Sequence, residues 1–189
     1  MKRREALKYA ATAVIGAPFL STVLFGSTSI PSSIIKAYKP VFFSDKQLLL
    51  VKSITDTILP KTDSPSASEV GVPEKIDSMI PVIHSRNEQA DFMAAFKRLE
   101  SQIANEAGGK DFSELSEEDR FGVLQIINNS NSSELEAVRW VLWNIKSKTV
   151  DYYRKSRVIA TEFLNYLPVP GYYDPCVSLS ELGGKAWAI

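Results

Sequence analysis

Residues 44–73 read SDKQLLLVKSITDTILPKTDSPSASEVGVP. The first four, Ser44 to Gln47, have the form of a capping box, in which the serine side chain caps a helix start and the glutamine reaches back. Leu48, Val51, Ile54, Thr55 and Ile58 then recur at three and four residues, the period of a helix with one buried face. Pro60 ends that pattern, because proline lacks an amide and clashes with the preceding turn. Residues 61–71 are rich in Pro, Ser and Gly and read as a loop. Pro73 suits the first turn of a second helix with Ile76, Met79, Ile80 and Ile83 on one face.

The same grammar continues downstream. Phe92, Phe96, Leu99 and Ile103 mark a third helix, closed by Gly108-Gly109 where a C-terminal cap needs glycine. Ser116 and the acids Glu117, Glu118 and Asp119 open a fourth, since the helix dipole favours negative charge there. Phe121, Val123, Leu124 and Ile127 follow at helical spacing. Ser133 to Glu136 reads as another capping box, opening a long helix through Ala137, Trp140, Val141, Trp143, Asn144, Ile145 and Lys148 towards Tyr152. Nowhere does apolar and polar character alternate between hairpin turns, so strands are minor at most. The fold class is all-α: a bundle of five or six helices with an irregular, aromatic and Pro-rich C-terminal segment.

That last segment carries three prolines and a glycine within residues 168–175, which excludes helix. Its aromatic content is unlike a disordered tail. An ordered extended segment must lie on something: its own helices are the expected support, with contact to another protein as the alternative.

The 189 residues hold 22 basic and 22 acidic side chains, one His and one Cys. A neutral balance argues against a nucleic-acid partner, which requires a basic surface. One Cys excludes an internal disulfide framework and any multi-thiolate metal site. The neutrality is a sum of unlike parts. Residues 1–39 carry six basic side chains against one acidic, a balance of +5, whereas residues 40–189 carry 16 against 21, a balance of −5.

The basic part reads as a targeting segment. No charge occurs between Tyr9 and Ile35, and residues 10–25 (AATAVIGAPFLSTVLF) are apolar with small side chains. Arg3, Arg4, Leu7 and Lys8 resemble the twin-arginine export motif, from which Lys2 and Ala6 depart. An ordinary secretory signal that happens to hold two arginines is the competing reading. The apolar stretch approaches the roughly 20 residues that span a bilayer, so an uncleaved inner-membrane anchor competes with a cleaved leader. Either way the basic N-terminus stays cytoplasmic and the body is periplasmic. The expected division is a signal or anchor over 1–39 and a helical domain over 40–189.

Chemistry-bearing motifs are scarce. No glycine-rich dinucleotide or phosphate loop and no C-x-x-C-H haem attachment is present. His84 follows a predicted helix and reads as a surface or capping residue. Residues 151–155 form a polar aromatic cluster read as a helix end with snorkelling side chains. Cys176, in an oxidising compartment, is either buried and inert or paired with another chain, and burial is favoured.

Two separated stretches carry a resemblance. Leu48-Leu49, residues 54–67 (ITDTILPKTDSPSA) and Gly71-Val72 resemble the N-terminal signature of the gluconate 2-dehydrogenase subunit 3 family. Residues 164–176 (LNYLPVPGYYDPC) and 184–187 (GKAW) are similar to its closing motif. Ser66 stands where that family commonly has Gly, and residues 154–156 depart from its small-residue stretch. The resemblance implies a non-catalytic small subunit with no cofactor of its own. Its implied partner is a large FAD-dependent dehydrogenase subunit of the glucose–methanol–choline type, acting on sugars, sugar acids or glycosides. A cytochrome c subunit with haem c accepts the electrons where one is present. The twin-arginine translocon would carry this chain with its flavoprotein as a folded passenger. The surface expected to meet the partner comprises Pro60, Asp63, Pro65, Tyr166, Pro168, Pro170, Gly171, Tyr172, Cys176 and Trp187, the irregular and most recognisable positions. A stand-alone periplasmic helical ligand-binding or interaction module is the alternative, and would show a closed pocket. Direct catalysis by Asp56, Asp63 or Asp151 is a third reading.

Overall fold

In the computed structural model the described residues are 38–167, 169, 171, 176–178 and 180–188. Five α-helices run through them: α1 (Asp45–Ile58), α2 (Val72–Ile83), α3 (Arg86–Glu106), α4 (Glu117–Asn129) and α5 (Glu136–Arg154). Short 3-10 turns, Phe112–Glu114 and Ser133–Leu135, precede α4 and α5, and a π-helical turn, Ile159–Phe163, follows. The only β feature among them is one parallel bridge between Asn165 and Trp187. The chain is therefore all-α, as its periodicity predicts. No described helix is long and apolar enough to cross a membrane.

Local chemistry fixes several of the helix ends. Ser44 and Ser85 form complete capping boxes with Gln47 and Glu88, giving α1 and α3 defined starts. Ser116 caps α4 by accepting from Asp119 N. At the end of α3, Gly108 and Gly109 have φ of 64° and 80° and donate to Asn105 O and Ala104 O, a pair of bonds that returns the last carbonyls to partners. Pro81 withholds the amide that would bond Asp77's carbonyl, and α2 ends two residues later.

The core forms where these helices cross. α5 packs against each of the other four helices. Its inward face, Val138, Val141, Leu142, Ile145 and Thr149, is buried. Phe92, Phe96, Leu99 and Ile103 of α3 and Ile76 and Ile80 of α2 are buried against it. Phe43 closes one end, its ring 4.8 Å from that of Phe96. Burying side chains of this size contributes about 2 kcal/mol each, before the cost of ordering them.

Three local expectations fail for geometric reasons. Ile83 is 47% exposed, because α2 ends there and the chain turns away into α3. Phe121 is 57% exposed, since it lies about a third of a turn off the face formed by Val123, Leu124 and Ile127. The capping box expected at Ser133 does not form: Ser132 instead accepts from Glu134 N, and α5 begins at Glu136 without a side-chain cap. Among the described residues of the C-terminal segment the hydrogen bonds are largely internal, with Lys185 donating back to Glu162 O. Asn165 N donates to Ala186 O, Ala188 N donates to Asn165 O, and the Asn165 side chain donates to Leu182 O and Lys185 O. Among the described residues none after Ala160 is buried.

Candidate partner interface

The loop between α1 and α2 is held from three sides. From within, Ala67 N donates to Leu59 O at 3.1 Å and Val72 N to Ala67 O at 3.1 Å, and Ala67 is fully buried. From the last turn of α1, Asp56 Oδ1 accepts from Ser68 N at 2.8 Å. From the end of α5, the Tyr153 hydroxyl donates to Pro65 O at 2.7 Å and lies 2.9 Å from the Ser64 hydroxyl. Glu69 caps the inner turn by accepting from Ser66 N at 2.9 Å and pairs with Lys61 at 2.6 Å. The Lys61 ammonium first, and the Ser66 amide second, hold the Glu69 carboxyl below the usual range. Gly71 carries the chain into α2 at φ 78°, a conformation that disfavours a side chain although a Cβ would meet no close neighbour. The outer edge, Pro60 and Asp63, is exposed, and Pro65 is half-buried.

A second anchor lies where the body begins. Asp77, fully buried in α2, accepts from Val41 N at 2.7 Å, Phe42 N at 3.0 Å, Phe43 N at 2.7 Å and the Tyr38 hydroxyl at 2.6 Å. Burial alone would push this carboxyl up. The bonds from Phe43 N, Tyr38, Val41 N and Phe42 N together outweigh it and hold the group below its ordinary value. Tyr38 responds oppositely: desolvation, then the bond to Asp77, raises its phenol far above the usual range. Residues 38–43 are thereby fixed to the bundle by four hydrogen bonds to one side chain.

The other predicted positions scatter. Tyr166 and Trp187 are 54% and 41% exposed, Gly171 is exposed, and Asn165 beside Tyr166 pairs with Trp187. Cys176 is exposed, which overturns the expected burial: no described residue after Ala160 is buried, so the thiol stands outside the core. Among the described residues no hydrogen bond or ion pair joins the 59–71 loop to residues 164–188. Arg3, Arg4, Leu7, Lys8, Pro168, Pro170 and Tyr172 lie outside the described residues.

The carboxylates considered for catalysis have other occupations. Asp56 holds the loop, Asp63 is exposed on it, and Asp151 pairs with Lys155 at 2.6 Å. No group of three or more His, Cys, Asp or Glu among the described residues could hold a metal ion. His84 caps the end of α2, its ring 6.5 Å from that of Phe92. Open depressions of about 300 Å³ lie between α1, α4 and α5, lined by Ile58, Phe121, Leu124 and Leu142, and of about 350 Å³ along α5.

Two anchors escaped the sequence. Asp77 could have been noticed, being an acid beside Ile76 and Ile80 on an apolar face. Tyr153 had no local signal, because its partners lie 88 and 89 residues away.

The sequence model of the gluconate 2-dehydrogenase subunit 3 family matches residues 45–171, which takes in all five helices, the pinned loop and the start of the closing motif. The chain belongs to the gluconate 2-dehydrogenase subunit 3 family. No curated protein and no solved structure matches it. Gluconate 2-dehydrogenase subunit 3 is one subunit of a dehydrogenase complex, so membership implies association with other subunits of such a complex. Tyr153 lies inside the matched region, whereas Cys176 and Trp187 lie beyond it.

Proposed function

We propose that this chain is the non-catalytic small subunit that exports, assembles and stabilises a periplasmic FAD-dependent dehydrogenase of the glucose–methanol–choline type, acting on sugars, sugar acids or glycosides. The observation that carries the reading is the family's loop itself. Residues 59–71 are fixed by Asp56, Tyr153 and their own backbone while Pro60 and Asp63 face outward. A loop ordered in advance loses little conformational entropy on docking, and so suits a permanent interface. We place Pro60, Asp63 and Pro65 in that interface. Tyr166, Pro168, Pro170, Gly171, Tyr172, Cys176 and Trp187 of the closing segment form its second part.

The division of labour follows from what each chain supplies. FAD binds in the large subunit, which must fold around it in the cytoplasm. A twin-arginine signal on this chain, through Arg3, Arg4, Leu7 and Lys8, would then carry the folded pair outward, with the apolar stretch remaining as an anchor or being removed. A cytochrome c subunit, where present, takes the electrons. Co-expression with the large subunit tests this. Replacing Arg3 and Arg4 together by Lys should leave the flavoprotein folded but cytoplasmic. Active flavoprotein reaching the periplasm with that double variant would sink the reading.

A further inference from the structure

The outward face of α5 is unlike the rest of the molecule. Trp140, Trp143, Ser147, Val150 and Arg154 recur at three and four residues opposite the buried face, a stripe about 21 Å long at 1.5 Å per residue. Trp140 is 46% exposed, Trp143 60% and Val150 39%. Large aromatic side chains scattered singly on a surface need no explanation, but two tryptophans and a valine in one line form a patch. Trp140 is also held in place: its ring meets the edge of Phe92 at 5.9 Å, and its carbonyl accepts from the Asn144 side chain at 2.9 Å.

The charge on this element is also distinct. Residues 136–155, α5 with its C-cap, carry five basic side chains and two acidic, a balance of +3. The remaining residues of 40–189 hold 11 basic and 19 acidic, a balance of −8. Some of the cations are engaged locally. Arg139 donates to Ser130 O and Ser132 O, and Lys155 pairs with Asp151. Lys146 and Arg154 meet no carboxylate within 4 Å among the described residues. Both line the depression of about 350 Å³ that runs between Trp143, Ser147, Val150 and Asp151.

We infer that this face is a docking surface for an acidic segment of the large dehydrogenase subunit. The occupant lays an apolar side chain against Trp143 and Val150 and sets a carboxylate between Lys146 and Arg154. The inference rests on the accessory-subunit reading, and adds to it a contact surface that the family's recognisable loops do not contain. Tryptophan and arginine are the side chains that most often dominate binding energy at protein interfaces. Complementary charge supplies orientation and a fast encounter. An anionic lipid surface is the competing occupant, and vesicle sedimentation separates it from a protein segment.

The test uses the full chain co-expressed with its large subunit, with affinity then measured between the separated subunits. Trp143→Ala and the Lys146→Glu/Arg154→Glu pair, all on exposed positions, should each leave the thermal midpoint of the isolated chain within about 2 °C. Each should weaken binding at least tenfold, and the charge-reversed pair should also flatten the dependence of affinity on salt. Asp63→Lys on the loop serves as the reference. If Asp63→Lys weakens the complex while both α5 variants bind within twofold of the parent, the subunit reading stands and the α5 surface is wrong. If the parent chain does not bind the flavoprotein at all, the accessory-subunit reading itself fails. Loss of sedimentation with phosphatidylglycerol vesicles, or of self-association, in the α5 variants without loss of flavoprotein binding also overturns the proposal.

Discussion

At the scale of the residue, Asp77 is a fully buried carboxylate that accepts four hydrogen bonds. Its carboxylate satisfies three consecutive backbone amides and one phenol inside the protein. Asp77→Asn keeps the shape but turns an NH₂ group towards donors, leaving buried amides without an acceptor. That should cost about 3 kcal/mol, and lower the midpoint of thermal unfolding by roughly 10 °C for a body of this size. The pH dependence has a definite sign. A carboxyl whose folded pKa is depressed contributes stability that is present above its unfolded value of about 3.9 and is lost as pH falls through the folded value. Denaturant titrations should therefore show the gap between parent and Asp77→Asn at its widest above pH 5 and shrinking below about pH 4. A gap independent of pH would mean that packing, not charge, is what Asp77 supplies. This residue also marks the limit of sequence reading. An acid between Ile76 and Ile80 announces an anomaly, but its donors lie 34–39 residues upstream, and no local pattern connects them.

At the scale of the element, most of the architecture was legible because helix ends are written in local chemistry. Ser44 with Gln47, Ser116 with the acids behind it, and Gly108-Gly109 each act within about four residues, a range over which sequence and structure are nearly the same thing. Expectations failed where a neighbour outside that range decided the outcome. Ile83 stands where its helix ends, and Phe121 lies a third of a turn off the face that the other helices cover. The start of α5 shows the competition most clearly. Ser133 has a capping-box spacing with Glu136, but Arg139 reaches back to the carbonyls of Ser130 and Ser132 and tightens the turn, so Ser132 becomes the cap. Alanine substitution separates the two serines. Ser132→Ala should cost about 1 kcal/mol, as loss of a capping hydroxyl does, and Ser133→Ala less than about 0.5 kcal/mol. Chemical denaturation of both variants checks this, and equal losses would restore the box that the spacing predicts.

At the scale of the whole molecule, the described body divides energetically into a packed bundle and an appended segment. Every described buried residue lies between Phe43 and Ala160, while the described residues beyond 164 bond largely to one another, and Lys185 reaches back to Glu162 O. Stability comes from apolar area removed from water, so a segment with no buried residue among those described contributes little to the fold of the isolated chain. Yet this segment carries Tyr166, Leu167, Val169 and Trp187 with between 41% and 79% of each exposed. Such exposure is a cost that a stable monomer has no reason to keep, and a subunit does, because the partner removes that surface from water. Ending the chain after Leu164 should therefore separate two properties that core mutations lose together. The thermal midpoint of the truncated chain, measured alone, should fall by no more than about 4 °C, corresponding to roughly 1 kcal/mol. Its affinity for the large subunit should fall by at least a factor of ten, if the closing segment contributes a contact worth about 1.4 kcal/mol or more. A truncated chain that melts far below the parent would show that the segment is part of the fold. One that binds the flavoprotein as tightly as the parent would remove the segment from the interface, leaving the loop pinned by Tyr153 and the face of α5 to account for assembly.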